Sequence, residues 1–401
     1  MGPIFRALLK RKTAAILVLL EIAITLAIVS NALSLIATRS HQMARSSGTD
    51  ESQVFFFGSV AIDPKSYNSE AAFSADRARL LAIDGVENAY VTDSLPLSGS
   101  GSNTSLQTGP DDNRKIFSAT YYADENTLAT LGVNLIAGRN FDAREITTLA
   151  PRGSEEPRVV LLSKAVAAQL FPAGDAIGKF LAGPDKSPNG PEVIGVYDQL
   201  QAPWVNSDDV ENTTLLPFRP SAAVNWVVRV KPGQLDRVQN LAREVLAKAD
   251  RSRVIGSKSR SIAELRKESY AGDRAMIVLM SGLSLLLVTI TALGIVGMAS
   301  FWVTQRTKQI GTRRALGATR SAIVREFQVE NALLTTAGAA LGVALAYGLN
   351  YWFAKQANVA VLPAFYVLVG VAMVYALGQL AVYRPAQRAS QVSPAIATRT
   401  V

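Results

Sequence analysis

Four long stretches of the chain carry almost no charge. Between positions 13 and 38 the one ionisable residue is Glu21, and 275–305, 331–354 and 356–383 contain no Asp, Glu, Lys or Arg. A helix needs about 20 apolar residues to cross a hydrocarbon layer of roughly 30 Å, and buried helices of soluble proteins seldom stay uncharged for so long. The pattern predicts four transmembrane helices near 14–36, 276–302, 329–352 and 364–383, with an inter-helix loop at the front of the last run. The first run follows a basic start (Arg6, Lys10, Arg11, Lys12) as a signal peptide would. Its apolar part is longer than the roughly 7–15 residues of a signal core, and no small-residue cleavage site follows. It reads as an uncleaved anchor.

Between the first and second runs the pattern changes to that of a water-exposed fold. Val54-Phe55-Phe56-Phe57 reads as a strand and 69–82 as a helix that stops before Asp84-Gly85. Residues 158–162 form a second strand, followed by Ser163 in N-cap position and an alanine-rich helix ending at Pro172. Residues 192–197 and 225–230 are strand-like, and Pro232-Gly233 marks a turn. Leu235, Val238, Leu241, Ala242, Val245, Leu246 and Ala249 then fall on one helical face, and Val254-Ile255 makes a further short strand. Strands alternating with amphipathic helices imply an α/β fold. The stretch 98–105 (SGSGSNTS) reads as a flexible loop. The fold class is therefore an α-helical membrane protein with four transmembrane helices and a large α/β extracytoplasmic domain.

Composition sharpens this picture. Of 401 residues, 49% are apolar and 18% charged, and the mean hydropathy is +0.18; a soluble chain averages about 25% charged. There is no cysteine and a single histidine, His41. That excludes disulfides, thiolate metal sites, cysteine nucleophiles and catalysis by a histidine pair. No cofactor is expected on the chain, and His41, just beyond the first span, reads as solvated.

The net charge of +9 is unevenly placed. The N-terminal stub, the segment between the second and third spans (Arg306, Lys308, Arg313, Arg314, Arg320, Arg325) and the tail (Arg384, Arg388, Arg399) hold 13 basic residues against one acid, Glu326. The insert 37–274 carries 27 basic and 29 acidic residues. By the positive-inside rule both termini face the cytoplasm and the insert lies outside. The high pI is a topology signal, and no nucleic-acid partner is expected.

One decoy is set aside. Gly174-Asp175-Ala176-Ile177-Gly178-Lys179 resembles a phosphate-binding loop, which needs four residues between its glycines and Ser or Thr after the lysine. Here there are three, and Phe180 follows.

The informative stretch is QRTKQIGTRRALGATRSAIVREFQVE, residues 305–330. It suggests two short helices broken at Gly317-Ala318-Thr319, where Gly317 ends the first and Thr319 begins the second. Ile310 and Leu316 offer apolar contacts beside Arg306, Arg313 and Arg314. Ile323, Val324 and Phe327 can turn inward while Arg320 and Arg325 face solvent or a partner. A helix across the cytoplasmic mouth, continuous with two spans, can transmit a push; a basic loop that merely fixes topology is the plainer alternative.

KQIGTRRALGAT, followed by an amphipathic helix and a glycine/alanine-rich span, resembles the hallmark of the FtsX-like/MacB-type ABC transporter permeases. The closing YRPAQRASQVSPAIATRTV (383–401) is similar to their C-terminal signature, and SKAVAAQLFPAGDAIGK with the strand at 192–197 looks like their periplasmic core. The resemblance implies a porter-like α/β domain over 39–273 with a smaller inserted part near 145–220. Residues 1–38 would be the stub and first span, and 274–401 the last three spans with a coupling segment at 304–327 and a tail at 384–401. It further implies that Arg306, Gln309, Ile310, Arg313, Arg314, Leu316 and Gly317 receive the stroke of a separate ABC ATPase, which would carry the ATP and magnesium. The chain itself would be noncatalytic, would dimerise with a second copy or paralogue, and would sit among lipids of a bacterial inner membrane. The family commonly has Glu before Ile-Gly, where this chain has Gln309, which removes a carboxylate able to pair with a basic residue.

Export by conformational change leads among functions. Efflux would add a periplasmic adaptor and an outer-membrane channel; lipoprotein extraction and regulation of cell-wall hydrolases are alternatives within the class. A membrane-anchored ligand sensor would need a cytoplasmic signalling domain. A membrane-embedded enzyme would need clustered acids, histidines or a serine–base pair in its spans.

Two features concern packing. Glu21, two turns into the first span, either snorkels toward Lys10, Arg11 or Lys12 or makes an interhelical contact. Gly338, Gly342 and Ala346 share one face of the third span, suited to close packing within the chain or, preferably, between two permeases.

Overall fold

The computed structural model describes residues 12–109, 114–149, 155–183, 190–357 and 361–393. It divides into a helical unit, 1–41 with 273–401, and an α/β unit, 42–272.

The helical unit contains α1 (Lys12–Met43), α7 (Ala271–Ala315), α8 (Arg320–Ala357) and α9 (Ala364–Ser390). All four are long and apolar enough to cross a membrane. Small residues decide how closely they approach. A Cβ on Gly338 would fall 2.7 Å from the Ile22 side chain, and one on Gly342 would fall 2.9 Å from Ala23 O. The Gly338/Gly342/Ala346 face of α8 is thus filled by α1 of the same chain, with Asn31 Nδ2 donating to Ala346 O at 3.3 Å. The preferred reading of that face as a contact between permeases does not hold, because α1 already occupies it. Some polar side chains in the spans meet across helices, as favoured where water is excluded, while others, such as Ser30 Oγ and Thr335 Oγ1, are buried with no hydrogen-bond partner. Thr25 and Thr291 exchange a buried hydroxyl bond of 2.8 Å between α1 and α7. Glu21 makes an interhelical contact: its carboxylate oxygen lies 2.5 Å from where a Gly294 Cβ would sit.

In the α/β unit the first sheet runs β12 (Arg253–Ile255), β1 (Val54–Ala61), β11 (Ala223–Val230), β2 (Val86–Thr92), with β13 (Arg260–Ser261) also paired to β1. The pleat sorts the aromatic run of β1 between two cores. Phe55 and Phe57 join Trp226 and Val228 beneath α2 (Ser69–Leu81) and α5 (Leu235–Ala249), whereas Val54 and Phe56 face the opposite core with Tyr90 and Val227. Arg253 and Asp76, 0% and 1% exposed at their side chains, form a buried ion pair that ties β12 to α2.

The second sheet has the order β3 (Ser102–Leu106), β4 (Ile116–Tyr122), β9 (Thr213–Leu216), β7 (Val159–Ser163), β8 (Glu192–Tyr197), β5 (Leu135–Gly138). It draws strands from 102 onward, well ahead of the inserted part expected near 145–220. Val160 and Leu162 pack on α4 (Lys164–Leu170), whose N-cap Ser163 accepts from Val166 N, while Val159 and Leu161 join the shared core. Two parallel residues each of β6 (Thr147–Thr148) and β10 (Phe218–Arg219) pair beside it, and α3 (Thr127–Leu131) completes the unit.

The 98–105 stretch is partly ordered as a strand: residues 102–106 pair with β4 in antiparallel register, Ser102 opposite Thr120 and Leu106 opposite Ile116. Backbone pairing at a sheet edge needs no apolar side chain, so Ser, Asn and Thr suffice there.

The unit begins and ends at one place. The helix α6 (Ile262–Ser269) presents Arg266, which donates to Glu51 at 2.8 Å, to Met43 O at 3.1 Å and to Arg45 O at 2.9 Å. Tyr270 OH donates to Gln42 O at 3.1 Å.

Candidate functional site at the helical elbow

The elbow is where α7 meets α8. At 45 residues, α7 is roughly 68 Å long at 1.5 Å per residue, about twice what a bilayer core requires. The two short helices expected within 305–330 are therefore the continuous ends of α7 and α8, because nothing between 271 and 315 interrupts the backbone ladder. The break itself falls at Gly317-Ala318-Thr319. Gly317 adopts φ +97°, which a Cβ would oppose. Its N–H donates to Arg314 O and that of Ala318 to Arg313 O at 3.0 Å, closing the helix with a Schellman turn. Thr319 Oγ1 accepts from Ala322 N at 3.2 Å and opens α8.

Below the turn the helices are cross-braced. Arg306 donates to both carboxylate oxygens of Glu330, at 2.7 and 2.9 Å, and its guanidinium stands 5.9 Å from the Trp302 ring centre. Arg313 pairs with Glu326 at 2.5 Å. Ile310, Ile323 and Phe327 are buried in one cluster. Ile310 is thus a core residue of the elbow and not part of its surface, since the antiparallel partner helix covers it. Arg314 Nη1 donates to Ala318 O at 3.2 Å and holds the turn. Gln309 is exposed and Leu316, at the apex, is 83% exposed. Lys308, Arg320 and Arg325 are exposed around it.

Sequence reasoning missed two participants. Glu330 is not singled out by the sequence pattern, although its spacing from Arg306 across a helical hairpin makes it the natural partner. Glu326 was counted as a lone acid in a basic segment, yet it neutralises Arg313. Among the described residues no three His, Cys, Asp or Glu side chains gather as a metal site.

The MacB-like periplasmic core domain model matches residues 15–245, and the FtsX-like permease C-terminal model matches 281–394. The chain belongs to the FtsX-like/MacB-type family of ABC transporter permeases. Among relatives, the macrolide export ATP-binding/permease protein MacB of Neisseria gonorrhoeae is 26% identical over 286 residues, covering 69% of this chain and 41% of that protein. That of Neisseria meningitidis is 25% identical over 332 residues, covering 79% of this chain and 49% of that protein. The chain thus spans about half the length of these relatives or less. The periplasmic region of MacB from Actinobacillus actinomycetemcomitans aligns with 55% of this chain and 94% of its own, at 15% identity and a TM-score of 0.33. The FtsX-like match takes in the whole elbow and all of α9; the tail from 394 on lies outside the described residues.

Proposed function

We propose that the chain is the permease of an ATP-binding-cassette machine and that an ABC ATPase acts on it at the α7–α8 elbow. The observation that carries this reading is the apex. Leu316 is 83% exposed and Lys308, Arg320 and Arg325 on the two helices are exposed as well, while the helices beneath it are locked by Arg306–Glu330 and Arg313–Glu326. An exposed leucine at the tip of a braced hairpin is an anchor for a groove on a partner, and the arginines favour an acidic rim. The distribution of basic residues supports placing the elbow and both termini in the cytoplasm of a bacterial cell, and the α/β unit in the periplasm. The family supports export driven by conformational change, with the work done on the α/β unit and no chemistry performed by this chain.

The test is co-purification with the cognate ABC ATPase. Leu316→Asp is expected to lower permease-dependent ATP hydrolysis about tenfold, the effect of losing one anchor residue, while the α/β unit stays folded. Full retention of coupled hydrolysis in the Leu316→Asp, Arg320→Glu double variant would remove the elbow as the docking site.

A further inference from the structure

The α/β unit contains a cavity of about 460 Å3, a size typical of sites for small molecules. Its apolar walls are Phe56, Leu95, Leu97, Val205 and Leu265, and its charged groups are Asp93, Arg260 and Glu268. Arg260 is committed: it pairs with Glu268 at 2.7 Å and stands 5.3 Å from the Phe56 ring centre. Asp93 is not. One carboxylate oxygen accepts from Tyr122 N at 3.0 Å and from the Thr92 hydroxyl at 3.3 Å, and among the described residues no cationic side chain is paired with it. Burial raises its carboxyl above the usual range, against hydrogen bonds from the Tyr122, Asp93 and Ser94 amides and from Thr92 that lower it.

Next to it, Ser94 is 6% exposed and its Oγ has no hydrogen-bond partner. A buried hydroxyl without a partner is costly, and Ser94 is among the residues that line the cavity. The rim is also built at some expense. Leu97 is the one non-glycine with positive φ, +67°, among the described residues, and its side chain is fully buried. Its N–H donates to Ala202 O at 3.4 Å and its carbonyl accepts from Ser269 Oγ at 2.5 Å, while Gly99 N donates to Pro203 O at 2.9 Å. These bonds hold 97–99 along the cavity against a conformation that disfavours a Leu.

An anion entering here would meet one guanidinium already neutralised and one carboxylate still uncompensated. A neutral molecule would leave that carboxylate as it is. A cation with an apolar body satisfies both the acid and the walls. We propose that this cavity binds a small apolar molecule bearing a protonated amine, with its ammonium donating to the Asp93 carboxylate and to Ser94 Oγ. The site is independent of the elbow and stands or falls separately from the permease reading.

The experiment uses the full chain in lipid nanodiscs and three isosteric probes: 4-phenylbutylamine, 4-phenylbutanol and 4-phenylbutyrate. Titration calorimetry is expected to show saturable binding of the amine, with the alcohol and the carboxylate about tenfold weaker or worse, the scale of one charge-assisted hydrogen bond. Asp93→Asn retains an acceptor for Tyr122 N and is expected to abolish the preference for the amine. Because the chain has no cysteine, Ser94→Cys places a unique thiol in the cavity, and the amine is expected to slow its alkylation by maleimide. Equal affinity for the three probes, no saturable amine binding, unchanged preference in Asp93→Asn, or an unprotected thiol in Ser94→Cys would each overturn the assignment.

Discussion

Glu330 on α8 is 2% exposed, and both of its carboxylate oxygens are bonded by the Arg306 guanidinium on α7. A carboxylate so placed is tolerable while its cation stays. Removing the cation alone leaves a buried charge. Arg306→Ala is therefore expected to destabilise the elbow by about 3 kcal/mol, whereas Arg306→Leu together with Glu330→Leu recovers most of the loss. Thermal unfolding of the purified variants in detergent checks this. A single variant as stable as the parent would show that the pair does not brace the hairpin.

Two glycines of α8 separate close packing from helix propensity. At Gly338 an added Cβ would press on Ile22 at 2.7 Å and on Leu19 O at 3.0 Å; at Gly348 nothing lies within 4 Å. Gly338→Val is expected to cost about 1–3 kcal/mol by overpacking against α1, and Gly348→Ala to be neutral or slightly stabilising. Unfolding midpoints, together with the yield of a disulfide engineered between α1 and α8, measure the contrast. Equal behaviour at the two positions would place the α1–α8 contact elsewhere.

The turn at 142–145 carries a pH signature. The Arg144 side chain and then its amide hold the Asp142 carboxyl down at about 2, against an ordinary 3.8. The unfolded chain binds more protons than the folded one across that interval, so the stabilisation is complete above 3.8 and disappears as the pH falls through about 2. The Arg144 amide, which donates to Asp142 Oδ1 at 3.0 Å, should lose protection, measured against its intrinsic exchange rate at each pH, as acid is added over that window. Asp142→Asn should remove the dependence. A protection factor at Arg144 that stays constant between pH 4 and 2 would contradict the cap.

Much of the architecture was legible because it rests on local rules. The uncharged runs marked α1, α7, α8 and α9; Ser163 and the alanine run marked α4; Gly317 and Thr319 marked the elbow by turn chemistry. What escaped depended on partners distant in sequence. The residues of β3 look like a linker because an edge strand binds through its backbone. Ile310 looks like a surface contact until α8 folds back over it. The Gly338 stripe announces close approach without saying to what, and only the position of α1 answers that. Continuity of α7 was hidden because Arg306–Arg314 reads as a boundary by charge, while the backbone has no reason to stop before Gly317.

The clasp of Arg266 and Tyr270 on Gln42, Met43 and Arg45 brings the first and last residues of the α/β unit together. Such a unit is a cassette with a single seam. A different domain could be grafted at that seam without rerouting α1 or α7, which gives a lineage of such proteins a simple way to exchange the α/β unit while keeping the four helices.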